Sequence, residues 1–165
     1  MDKTDYLEKE LSRLLSWIKS ADSRLTLILP LTTAMLGTLA ILVPKISDWS
    51  IASAIFTSFA VFFLFLSLIF SACASFPRTI GPKGSLIYFS GINAHDLTQY
   101  SNSIKEYDAE KYMNDLINQC HINAKIAETK FKWIQRSMIC LFISAIPWAL
   151  SIYILLQCEI NYGIN

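Results

Sequence analysis

Charge is what three long stretches of this sequence lack. Leu25 to Pro44, Trp49 to Pro77 and Ser137 to Cys158 hold 20, 29 and 22 residues without one Asp, Glu, Lys, Arg or His. A proton relay or coupled ion transporter would need such groups inside the bilayer, so transport by that route is disfavoured. A surplus of one sign is missing too. Fourteen basic against thirteen acidic residues leave a formal +1, which gives no basic surface for nucleic acid and no acidic tail. The sequence has two histidines, His95 and His121, and no CxxC, HExxH, P-loop, Rossmann or GxSxG spacing, so neither a metal centre nor a nucleophile elbow is expected. The polar segments are too short to enclose a usual active-site cleft. The expectation is a non-enzyme without cofactor or metal. Asp96 beside His95 reads as a helix cap with an exposed neighbour rather than an acid/base pair. Four cysteines fall in different places, Cys73 and Cys140 within apolar runs, Cys120 in a polar segment and Cys158 at a far end, which excludes a disulfide framework.

What is abundant is apolar surface: 53% of residues are hydrophobic and 16% charged, too greasy for a soluble domain of 165 residues. A bilayer core of roughly 30 Å takes about 20 helical residues, so each charge-free run can cross once. Three strands could not close a barrel, and only helices would satisfy their own amides in lipid. The expected fold is an all-α membrane protein with three transmembrane helices and two cytoplasmic helical stalks. Its parts are an N-terminal helix over 1–24, spans over 25–44, 51–75 and 137–157, and a sensor loop with a stalk helix over 76–136. Five acids and five bases in the first 24 residues are unlike a cleavable signal. The short connection Lys45 to Asp48 makes the first two spans a hairpin. Lys19, Arg24, Arg78, Lys83, Lys130, Lys132 and Arg136 flank membrane ends on one side, against Lys45 on the other, which predicts a cytoplasmic N-terminus and an outward C-terminus.

Leu7, Leu11, Leu14, Ile18, Ala21 and Leu25 recur at spacings of four and three, an apolar seam on a helix leading into the first span. Met113, Ile117, Cys120, Ala124, Ala127, Phe131 and Ile134 repeat the pattern ahead of the third. The two seams can pair in parallel, within one chain or between copies. They bury each other at least, and could also pass a signal into the spans. Within the spans, Thr33 with Gly37, Ala34 with Thr38, and Ser67, Ser71, Ala74 and Ser75 suit close helix contacts. Pro30 and Pro147 are candidate bends, and Phe56, Phe59, Phe62, Phe63, Phe65 and Phe70 are expected to face lipid or a neighbouring subunit. Residues 76–107 have loop chemistry, with Pro77, Gly81, Pro82 and Gly84 around Arg78 and Lys83. A basic glycine loop can hold phosphate, and a juxtamembrane turn against headgroups is the plainer alternative. Ser85 to Ile92 (SLIYFSGI) is a candidate extended piece.

The segments LSWIKSADSRLTLILPLTTAMLGTLAILVP, YFSGI and DLINQCHINAKIAETKFKWIQRSMI, with Trp17, Ala21, Asp22, Lys125 and Lys130 among them, resemble the small membrane effectors of Pycsar antiphage defence, the PycTM family. The resemblance covers most of the chain and implies a two-component system. A partner uridylate or cytidylate cyclase makes cyclic CMP or cyclic UMP on infection, and the effector senses it and impairs the bacterial inner membrane, causing abortive infection. No cyclic-nucleotide-binding barrel is legible, so a nucleotide would have to bind between helices, across subunits of a homo-oligomer. For such a monoanionic pyrimidine ligand the candidate contacts are Arg78 and Lys83 to phosphate, Tyr88, Tyr107 or Trp133 to stack, and Asn118, Gln119 and Asn123 to a base edge. The alternatives are a constitutive holin-like or scaffold membrane protein needing no ligand, and an accessory subunit of a transporter.

Overall fold

The computed structural model describes residues 2–43, 50–76, 81 and 85–162, with side chains through 157. These residues form an all-α chain without a strand: α1 (Lys3–Leu42), α2 (Ile51–Ser75), α3 (Phe89–Asn93), α4 (Leu97–Lys105) and α5 (Ala109–Tyr162). Three of them, α1, α2 and α5, are long and apolar enough to cross a membrane. The α1 and α5 helices, with 40 and 54 residues, are longer than one crossing, and Pro30 and Pro147 lie inside them without ending them. The expected connection at 45–48 lies outside the described residues.

The chain divides into two compact units, one of residues 1–21 and 76–130 and one of residues 22–75 and 131–165, so α1 and α5 each contribute to both. In the first unit the start of α1 lies along the start of α5. Tyr112 donates to Glu8 Oε1 at 2.7 Å and the Cys120 thiol approaches the Leu7 carbonyl at 3.6 Å. Leu14 and Ala21 of α1 are buried, and Leu7, Leu11 and Ile18 half-buried. On α5 the covered positions are Leu116, Gln119, Asn123, Ala127 and Lys130. Of the seam expected from the apolar spacing, Ala127 and Ile134 are buried and Met113, Cys120 and Phe131 half-buried, whereas Ile117 and Ala124 are exposed, Ile117 by 46%. Alternation alone does not choose between adjacent registers when amides and acids share the inner face.

In the second unit α2 buries Ser53, Thr57, Ala60, Leu64, Ser67, Ser71 and Ala74, a strict alternation of four and three. Ser137, Ser144 and Ser151 of α5 repeat at seven and are fully buried. Small residues let helix backbones approach closely, and their hydroxyls then bond across. Ser67 and Ser71 reach Ser137 Oγ at 2.9 and 2.7 Å, Ser137 donates to the Ser67 carbonyl at 2.9 Å, and Thr57 pairs with Ser151 at 2.5 Å. Trp148 donates its indole N–H to the Met35 carbonyl at 3.0 Å. Among the described residues Gly37 has open space around it, and the Thr33 and Thr38 hydroxyls bond back to carbonyls of their own helix. Phe59, Phe62 and Phe65 face outward as expected, whereas Phe70 is half-buried with its ring 5.7 Å from that of Trp133.

Candidate functional site

The polar chemistry of the first unit converges on Asp115, two turns into α5. Asp108 starts that helix by accepting from the Lys111 amide at 2.8 Å, which sets the register that turns Asp115 inward. Opposite it, residues 85–88 form a tight turn in which Ser85 Oγ accepts from the amides of Tyr88 at 3.0 Å and Ile87 at 3.3 Å. The turn runs into α3, where the candidate extended piece was expected. A five-residue helix carries too little periodicity to be told from a strand by composition. Gly91 makes this close fold possible, because an added Cβ would overlap the Ser85 carbonyl. The Tyr88 ring in turn rests on Gly81. Asp96 caps α4 by accepting from the Gln99 amide at 2.8 Å, and Tyr100 ties α4 to the Leu86 carbonyl at 3.2 Å.

Three donors meet at Asp115 Oδ2: the Ser85 hydroxyl at 2.8 Å, the Leu86 amide at 3.1 Å and the Tyr107 phenol at 2.9 Å. Burial, and then the bond to Asp115, push the Tyr107 phenol above the usual tyrosine range, so it keeps its proton and remains a donor. Asp115 is only 7% exposed, and its other oxygen, Oδ1, is buried without a hydrogen-bond partner among the described residues. A buried acceptor left in this state costs about 1–3 kcal/mol.

Asp115 lines a cavity of about 370 Å³, the size range of small-molecule sites. Ser85 and Leu86 form one wall, His95, Ser103 and Glu106 another, and Tyr107, Lys111, Asn114 and Asn118 complete it. His95 is half-buried rather than exposed, with Nδ1 2.8 Å from the Gly91 carbonyl. Lys111 is the cation of this lining among the described residues, and its Nζ donates to the Glu106 carbonyl at 3.0 Å.

Of the residues singled out from the sequence, Asn118 and Tyr107 line the cavity. Gln119 lies behind its wall, with Nε2 3.5 Å from Ser85 Oγ, and Asn123 sits one turn on, donating to the Gln119 carbonyl at 2.9 Å. The half-buried Tyr88 stacks beside Phe89 at 4.5 Å. Trp133 belongs to the second unit, under the Arg136 guanidinium at 4.7 Å. Arg78 and Lys83 lie outside the described residues. Asp115, Glu106 and Lys111 were missed. The available signal was an acid beside the apolar seam of α5, which a pattern of apolar residues alone does not pick out.

An all-α chain with three helices long and apolar enough to cross a bilayer, and a polar cavity in its other unit, defines a class of helical membrane protein. Within that class the chain belongs to the PycTM family: the family model, described as Pycsar effector protein domain, matches residues 6–157. Membership makes it an antiviral defence effector linked to a cyclase and to cyclic-nucleotide signalling. Neither a curated protein nor a solved structure matches the chain.

Proposed function

We propose that the protein senses a cyclic pyrimidine nucleotide, cyclic CMP or cyclic UMP, made by its partner cyclase on infection, and then impairs the inner membrane so that the cell is lost before phage are released. The observation that carries this reading is the Asp115 cavity, a polar space of about 370 Å³ in a chain of this family, beside a buried acceptor that has no hydrogen-bond partner among the described residues. Lys111 offers charge to the cyclic phosphate, and Asn118 an amide to ribose or base. Gln119 and Asn123 hold the wall through Ser85 and the α5 backbone, Tyr88 supports the turn, and Arg78 and Lys83 add cationic charge nearby in sequence. The protein acts by binding, without catalysis, as a homo-oligomer in the inner membrane. Its N-terminus and first unit face the cytoplasm, where the cyclase product is made, in line with the excess of Lys and Arg at those membrane ends. Because α5 carries Asp115 and continues unbroken into 137–157, a shift at the cavity has a covalent route to the bilayer.

The test is membrane potential in phage-challenged cells carrying the effector with an active or an inactive cyclase. Depolarisation with the active cyclase alone supports the reading. Equal depolarisation with both, or on expression without phage, identifies a constitutive holin-like protein instead.

A further inference from the structure

We infer that a groove between α1 and α5 in the second unit holds one anionic phospholipid, with its phosphate on Arg24 and an acyl chain laid along Ile139 and Phe142. This goes beyond the nucleotide-sensing reading and does not depend on it.

The groove has a volume of about 380 Å³, and its lining lies wholly within the second unit. Arg24 comes from α1 and the rest of the lining from α5. One end is polar. Arg24 is the last charged residue before the run that begins at Leu25, and Gln135 stands two residues before the run that begins at Ser137. The other end, at Ile139 and Phe142, lies inside that last run and is apolar. From Phe131 to Phe142 the lining covers roughly 16 Å at about 1.5 Å per residue, so it passes from headgroup depth into a hydrocarbon core of roughly 30 Å. Ile134 closes the floor at 1% exposure, whereas Ile139 and Phe142 leave 49% and 68% of their surface uncovered. A groove that is cationic at the membrane surface and apolar below it repeats the order of polarity of a phospholipid.

The Arg24 guanidinium rests over the Phe131 ring, its central carbon 5.6 Å from the centroid. A cation held by its face on a ring keeps its N–H edges for acceptors. Among the described residues no ion pair to a carboxylate uses them. The planar fork fits two phosphate oxygens at once, and a lipid of net negative charge supplies them without a cation of its own. A zwitterionic lipid carries an ammonium beside the phosphate and gains less. The Gln135 amide adds a donor at the depth of the glycerol ester carbonyls. Arg136 supplies the contrast. It too directly precedes a charge-free run, but it lies over Trp133 at 4.7 Å, outside the lining.

Native mass spectrometry of the full-length protein is the test, after release from nanodiscs of equal parts phosphatidylglycerol and phosphatidylethanolamine with matched acyl chains. The wild type is expected to retain one phosphatidylglycerol per chain, roughly 10-fold in preference to phosphatidylethanolamine, the scale of one charge-assisted bidentate contact. Arg24→Gln abolishes the preference, whereas Arg136→Gln, which removes the same charge outside the groove, leaves it. Ile139→Trp fills the groove while keeping every charge, and should lose the retained lipid; if Arg24→Gln does not assemble in nanodiscs, this variant decides alone. Equal retention of the two lipids by wild type overturns the site. Equal losses in Arg24→Gln and Arg136→Gln reduce it to the charge of the membrane surface, and retention unchanged in Ile139→Trp removes the acyl chain from the groove. A dimer that survives delipidation and is lost in Ile139→Trp assigns the groove to a second copy of the chain and overturns the lipid.

Discussion

At the scale of single residues, Asp115 organises the first unit. Asp115→Ala removes the partner of Ser85, Leu86 and Tyr107 together, and one buried donor left unsatisfied already costs about 1–3 kcal/mol. In a unit of this size each kcal/mol lowers the melting point by about 4–8 °C, so the variant should melt at least several degrees below wild type. An unchanged melting point would remove Asp115 from its organising role. Tyr107 adds a pH dependence. Its phenol loses its proton near pH 10.0 in the unfolded chain and at higher pH when folded, because burial and Asp115 favour the protonated form. The stabilisation is thus complete below the unfolded value and fades as pH rises through the folded one. Tyr107→Phe should flatten the alkaline limb of a stability profile above about pH 10, while Tyr112, raised by its bond to Glu8, still contributes. Superimposable alkaline limbs would contradict this. At this scale the sequence was partly legible. The Asp96 cap announces itself through local chemistry, whereas Asp115 acquires meaning only when Ser85 and Tyr107, 30 and 8 residues away, are folded onto it.

At the scale of elements, the charge-free runs made all three spanning helices legible, because a continuous apolar stretch has no other stable form in lipid. Legibility ended in 85–107. Short α3 and α4 are held by tertiary bonds such as Tyr100 to Leu86, which composition does not encode. The helix seams differ in the same way. Leu14 is 5% exposed and Leu15 51%, so Leu14→Glu buries an unpaired charge and should destabilise by well over the roughly 1 kcal/mol of an average substitution, while Leu15→Glu stays within about 0.5 kcal/mol. Similar losses for both would mean that the register of α1 is wrong. In the second unit, Ser137→Ala removes bonds to Ser67 and Ser71 worth about 0.6–2 kcal/mol each in a bilayer. Ser137→Leu should cost more, since added bulk forces apart the backbones that the small residues allow to meet. Unfolding by SDS titration ranks the two, and a leucine variant as stable as wild type would exclude a close α2 and α5 contact at this level.

At the scale of the whole molecule, occupation of the cavity and damage to the bilayer are expected to be one event. Orientation is its first requirement. Single cysteines placed near position 2 and at position 165, with native cysteines replaced, should react with an impermeant thiol reagent in intact spheroplasts only at the C-terminal position. Labelling of both would put the termini on one face and remove the odd number of crossings. The most direct measurement is release of trapped dye from liposomes carrying the full-length protein as cyclic CMP or cyclic UMP is added. Release with one of the two nucleotides is expected to saturate with its binding curve. Release that is equal with and without nucleotide, or none at saturating nucleotide, would contradict it.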